Sequence, residues 1–235
     1  MERDIDMKAV SDGKLYGAND LVKVGCDDCS GCSACCHGMG SSITLDPYDI
    51  FELTQNLEKN FGQLMEESVE LNVVDGIILP NLKMAGDQEA CVYLNEQGRC
   101  SIHGFRPGIC RLFPLGRIYE NGSFQYFLQV HECAKESRTK MKVKKWLDIP
   151  SLARYERFVA DWHYFLKGIQ QEAMEVHLQD AGEAKAAAVK QINMYLLQAF
   201  YVQPYEKEVD FYQQFEARLA QAKAVIEAYR KQIRG

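Results

Sequence analysis

The chain has no run of roughly eighteen apolar residues, the length a membrane-crossing helix needs, so no membrane span is expected. Its first residues, MERDIDMKAVSDGKLYG, mix charges of both signs and hold no apolar stretch. They predict no secretory signal and a cytoplasmic protein. The glycine patterns that cradle nucleotides are missing: there is no G-x-G-x-x-G after a strand and no P-loop. The H-E-x-x-H of zinc proteases, the C-x3-C-x2-C triplet of radical enzymes and a thioredoxin-type C-x-x-C are absent too. No repeat or low-complexity segment occurs. Positive charge is outnumbered, with a net charge of −6 over 235 residues, which argues against broad nucleic-acid binding. The local exception, Arg138, Lys140, Lys142, Lys144 and Lys145, reads as a solvated approach to Trp146.

Against these absences stand nine cysteines. Five of them, Cys26, Cys29, Cys32, Cys35 and Cys36, fall in one short run, C-D-D-C-S-G-C-S-A-C-C. Cys91, Cys100, Cys110 and Cys133 follow at wider spacing. A disulfide framework needs an oxidising compartment, and an odd count leaves one thiol over. The chain is also long enough to bury a core without staples. Metal is therefore the expected explanation. Each C-x-x-C brings two sulfurs to one centre, and soft thiolate selects zinc, copper(I) or iron–sulfur clusters. Eight or nine thiolates suffice for two four-coordinate centres or one larger bridged assembly. Adjacent side chains diverge, so Cys35 and Cys36 are expected to serve different metals or to bridge between them.

Two registers compete. Cys26-x2-Cys29-x2-Cys32-x3-Cys36 has the spacing of a bacterial ferredoxin run, although His37 stands where proline normally follows and no second run exists. The other register, Cys29-x2-Cys32-x2-Cys35-Cys36, is followed by Cys91…Cys100-Ser-Ile and by Arg106-Pro107-Gly-Ile-Cys110-Arg111-Leu-Phe-Pro. Together these resemble the YkgJ-type CxxCxxCC cysteine-cluster family, a domain proposed to chelate zinc or iron, over about Cys29 to Cys133. The resemblance implies eight metal ligands: Cys29, Cys32, Cys35, Cys36, Cys91, Cys100, Cys110 and Cys133. Cys26 is left as a ninth ligand, a spare, or the first ligand of the ferredoxin-like register. The same domain occurs in flagellin lysine methylases, where an iron–sulfur cluster is thought to be needed.

Around the sulfurs, Arg106 and Arg111 flank Cys110 and are candidates to offset the charge of a cluster and to donate to sulfur. Pro107 is placed to start a short helix. His37, His103 and His131 lie close to cysteines; with so many thiols present they are expected to pack rather than to ligate.

The expected fold class is α+β. Residues 1–22 read as a polar lead-in and residues 23–136 as an irregular, metal-nucleated domain of short helices and hairpins. Residues 137–235 read as a three-helix region packed on that domain. Asp46-Pro47 marks a helix start, and a second short helix is predicted over Gly62 to Leu71. Hairpins are predicted with turns at Asp75-Gly76, at 95–98 and at 120–123. Long helices are predicted from about Ser151 to Leu178, Gly182 to Val202 and Glu206 to Ile233. The leading expectation is a cytoplasmic iron–sulfur protein, with a 4Fe-4S cluster in one or two centres, that serves a redox protein partner. The alternatives are a zinc-binding structural or buffering protein and a lysine-methylase-like enzyme.

Overall fold

Asp46 and Pro47 open the helix Pro47–Leu57 by two devices at once. The Asp49 amide donates to the Asp46 carboxylate at 2.9 Å and the Asp46 amide donates to the Asp49 carboxylate at 3.0 Å. Proline at the first helical position lacks the amide that would otherwise go unpaired there. Asn60 and Gln63 repeat the reciprocal cap at the helix Phe61–Glu67. This second helix is shorter than the sequence predicts. It stops at Glu67, and the β-branched Val69, Val73 and Val74 run on as the strand Val69–Val74.

The computed structural model describes residues 6–27, 29–135, 137–178 and 183–234. The elements are mixed helix and strand with small two-stranded sheets, an α+β composition. They fall in two compact units that alternate along the chain. One takes Leu45–Asn81 and Phe165–Gly235; the other takes Glu2–Thr44 and Leu82–Tyr164. The long helix Leu152–Leu178 supplies its first half to the second of these and its remainder to the first.

In the first unit, Val69–Val74 pairs with Ile77–Leu82 across a turn in which Asp75 and Gly76 have φ of 49° and 81°, the left-handed pair that a tight hairpin demands. Asn193, on the helix Glu183–Leu197, is buried against that turn. Its Oδ1 accepts from the Ile78 amide at 2.7 Å and its Nδ2 donates to the Gly76 carbonyl at 3.1 Å. The helix passes into a π-helical turn, Gln198–Val202, whose carbonyls need partners. Arg218, on the last helix Phe211–Arg234, donates to the carbonyls of Ala199, Gln203 and Pro204 at 2.8, 2.8 and 2.7 Å. Leu53, Leu64, Ile77, Leu196, Phe200 and Phe215 form the centre of this unit's core.

The second unit holds all nine cysteines. Leu115–Glu120 pairs antiparallel with Ser123–Leu128 around Asn121-Gly122, both at positive φ, where the sequence predicts this hairpin. Tyr16, within the stretch read as a lead-in, exchanges backbone hydrogen bonds with Tyr126 at 2.8 and 3.0 Å. Leu21–Gly25 pairs antiparallel with Thr139–Lys142, a ribbon no sequence pattern announced. The hairpin expected from Cys91 to Ile102 is reduced. Ala90–Cys91 pairs with Met84–Ala85 instead, and the turn at 95–98 is closed by the single bridge Leu94↔Cys100. Among the described residues no helix is long and apolar enough to cross a membrane.

Candidate metal centre

The strand Leu21–Gly25 carries the chain into the cysteine run. Val22 and Val24 are buried, and Gly25 lies opposite Thr139 so closely that a Cβ at position 25 would collide with the threonine hydroxyl. Cys26 leaves this anchored strand end. Asp27 and Cys29 then take φ of 55° and 56°, and Gly31 takes 62°. Non-glycine residues reach the left-handed region at a cost, so a tight course is imposed here. The Ser30 amide donates to the Asp27 carbonyl at 2.9 Å, the Cys32 amide to Cys29 at 3.0 Å and the Cys36 amide to Ser33 at 2.8 Å. The last of these closes the 3₁₀ turn Ala34–Cys36.

This succession of turns, with a cysteine every third residue, gathers sulfurs at one place. Cys26, Cys29, Cys32 and Cys35, joined by Cys133, line a small cavity of about 20 Å³ whose apolar wall includes Phe113, Pro114 and Trp146. Such a volume has room for little more than one water-sized centre. The Cys26 and Cys29 sulfurs are 3.7 Å apart. Lys135 donates to the Ser30 carbonyl at 3.3 Å and so ties the Cys133 loop to the run.

A second grouping adjoins the first. His37 bridges to Ala90, and the Gly38 amide donates to the Glu89 carbonyl at 3.0 Å, which brings the end of the run beside Cys91. Cys36, Cys91 and Cys100 feel one another's charge, and Cys91 and Cys100 also feel Cys35. Cys35 thus lines the small cavity and lies within electrostatic reach of Cys91 and Cys100. Cys110 is half-buried on the short helix Gly108–Leu112 that starts after Pro107, as the sequence predicts, and it does not line the small cavity.

All nine cysteines are free thiols. Cys35 and Cys36, neighbours on the 3₁₀ turn Ala34–Cys36, interact with each other as a hydrogen-bonded thiol pair. That hydrogen bond, helped by a backbone amide and by Arg106, lowers the Cys35 pKa to about 6. Cys36, as the donor, is pushed far above the usual thiol range. Burial, with Cys26 alongside, pushes Cys29 up to about 12. Burial also raises Cys91 and Cys100.

The two arginines differ in what they touch. Arg106 acts on Cys29, Cys35 and Cys100, spanning both groupings, and its guanidinium meets the His103 ring at 2.8 Å. Its Nε is buried with no partner among the described residues. Arg111 spends its donors on backbone: the carbonyl of Arg106 at 3.2 Å, of Asp148 at 2.9 Å, and of Gly104. It holds the loop that carries Arg106 against the end of the helix Val143–Leu147. His131 is exposed. His163 stacks on Tyr119 at 3.5 Å, in the hairpin.

Among the described residues no three Cys, His, Asp or Glu side chains close tightly enough to grip an ion as they stand. The donor set nonetheless fits a thiophilic metal: five sulfurs around one small cavity, four more thiols in the same unit, and a cation, Arg106, in electrostatic reach of Cys29, Cys35 and Cys100. The family model of the CxxCxxCC domain matches residues 28–143. Residues 28–143 are a CxxCxxCC domain. Its description, a domain proposed to chelate zinc or iron, supports metal binding by this chain. Eight cysteines, Cys29 to Cys133, lie inside the CxxCxxCC domain, and Cys26 lies just before it. Neither the curated proteins nor the solved structures compared with the chain include a match. Sequence reasoning had no means to find Trp146 at the CxxCxxCC thiols, since nothing in spacing links position 146 to position 29.

Proposed function

We propose that the chain is a cytoplasmic iron–sulfur protein that passes electrons to a protein partner. In this reading Cys29, Cys32, Cys35, Cys36, Cys91, Cys100, Cys110 and Cys133 hold the iron. The observation that supports it is the number of thiols in reach of one another, five on one small cavity with Cys36, Cys91 and Cys100 close enough for their charges to interact, which exceeds the four thiolates that one tetrahedral ion uses and suits a larger assembly. An iron–sulfur cluster, when bound, supplies one-electron chemistry. Arg106 would then offset negative charge on the thiolates and raise the potential, and Trp146, Phe113 and Pro114 would keep water away from the sulfurs.

Zinc is the second reading, favoured by the small size of the thiol cavity. Purification without oxygen, followed by iron, zinc and acid-labile sulfide determination, separates the two. Iron with sulfide and a broad brown absorption bleached by dithionite is the expected outcome. Colourless protein with stoichiometric zinc from iron-replete cells would replace the first reading by the second.

A further inference from the structure

Cys26 lies outside the matched residues 28–143, and the eight ligands that the resemblance implies do not include it. A buried cysteine at the end of a strand is ordinarily a small hydrophobic residue in a core. Cys26 has different surroundings. It is 7% exposed, the only one of the nine cysteines that is fully buried, and it lines the small cavity with four other thiols. Its sulfur is 3.7 Å from that of Cys29. In a tetrahedral thiolate site with a metal–sulfur bond of about 2.3 Å, neighbouring sulfurs are about 3.8 Å apart. The pair already has the edge length of such a tetrahedron, before any side chain moves.

The backbone explains how. Cys26 is fixed from behind by the ribbon with Thr139–Lys142, and the left-handed Asp27 and Cys29 fold the chain back so that the second sulfur meets the first.

We propose that Cys26 is a metal ligand, binding the same ion as Cys29, and that this chain extends the domain's eight thiolates to nine. The ion is a thiophilic tetrahedral cation that takes more than one protein thiolate, either zinc or an iron of a mononuclear or 2Fe-2S centre. The inference rests on metal binding by the thiols and not on the choice between those two, so the metal's identity tests the proposed function and its dependence on Cys26 tests this proposal.

The experiment compares the full chain with Cys26→Ala, Cys26→Ser and Cys26→His, each prepared without oxygen. Zinc and iron per chain are measured, and cobalt(II) is then titrated into metal-free protein, where the sulfur-to-cobalt band reports the number of thiolates. The Ala and Ser variants are expected to lose metal, or to keep it with a weaker band and an affinity lower by at least about tenfold. Cys26→His, which restores a donor, is expected to keep metal with a shifted band. Wild-type metal content, band and affinity in the Ala and Ser variants overturn the proposal. If none of the three folds, the wild-type protein decides: in mild denaturant, bound metal is expected to slow alkylation of Cys26, and equal rates with and without a chelator overturn the proposal.

Discussion

Cys36 is the largest influence that holds the thiol of its neighbour Cys35 low, and Cys36 is itself pushed far above the usual thiol range. The pairing divides two like groups into a proton holder and a ready thiolate. In metal-free protein at pH 7, Cys35 is therefore expected to be the first cysteine alkylated. Its rate should rise through about pH 6 and level off above, while Cys29 lags until the pH approaches about 12. Cys36→Ala removes the principal cause of the lowering and should move the Cys35 profile upward. Peptide mapping after brief alkylation across a pH series measures both. Identical profiles in the variant and the wild type would show that the Cys36 thiol does not control Cys35.

Proton release gives a second expectation. Cys29, Cys36, Cys91 and Cys100 are all raised, so they enter coordination carrying protons that the metal must displace. Protons compete with metal, and affinity falls as the pH falls. Calorimetric titration of metal-free protein in buffers of different ionisation enthalpy counts the protons set free at neutral pH, and more than one per metal is expected. An affinity unchanged between pH 6 and pH 8 would contradict the raised thiols.

Arg106 and Arg111 should separate cleanly in mutants. Arg111→Ala leaves carbonyls of the Gly104–Arg106 loop and Asp148 without their charged donor, and should cost about 2 kcal/mol in denaturant unfolding. Arg106→Gln should alter stability less. It should raise the alkylation profile of Cys35 and lower the midpoint potential of a bound redox centre. Urea titration and potentiometry on the same two proteins are the checks. A stability loss confined to Arg106→Gln would reverse the roles.

Away from the thiols, Asn193 acts as a clamp on the turn at Asp75-Gly76. It is 6% exposed, and its removal leaves the Ile78 amide and the Gly76 carbonyl unpaired. Asn193→Ala is expected to destabilise by about 2 kcal/mol with no change in metal content. Gly76→Ala should also destabilise, since φ there is 81° and its Cβ would lie 2.8 Å from that of Ala173. Denaturant melts with metal analysis before and after test both.

Local chemistry was legible where it acts locally. Asp46-Pro47 marks its helix, Asn121-Gly122 and Asp75-Gly76 mark their turns, and Pro150 precedes the long helix Leu152–Leu178. The convergence of Cys26, Cys29, Cys32 and Cys35 on one cavity was legible because thiols at three-residue spacing have few other uses. The ribbon between Leu21–Gly25 and Thr139–Lys142 was not, because backbone pairing between distant segments leaves no periodic trace in either. The same holds for Arg106 and Arg111, alike in sequence as neighbours of Cys110 and unlike in space. Glu67 ends a helix whose apolar pattern continues, since Val69 onward serves a strand with similar side chains.

The cysteine unit is assembled from two lengths of chain with Leu45–Asn81, part of the other unit, between them. That order has a consequence for biosynthesis. Cys26 to Cys36 leave the ribosome well before Cys133 and before Thr139–Lys142, the strand that steadies Cys26. With about 100 residues between them and synthesis at about 5–20 residues per second, the early thiols wait roughly 5–20 s without their later companions. Throughout that interval they are open to oxidation and to capture by whichever metal is freely available. The metal a cell finally installs thus depends on what guards a half-made chain as well as on the finished site.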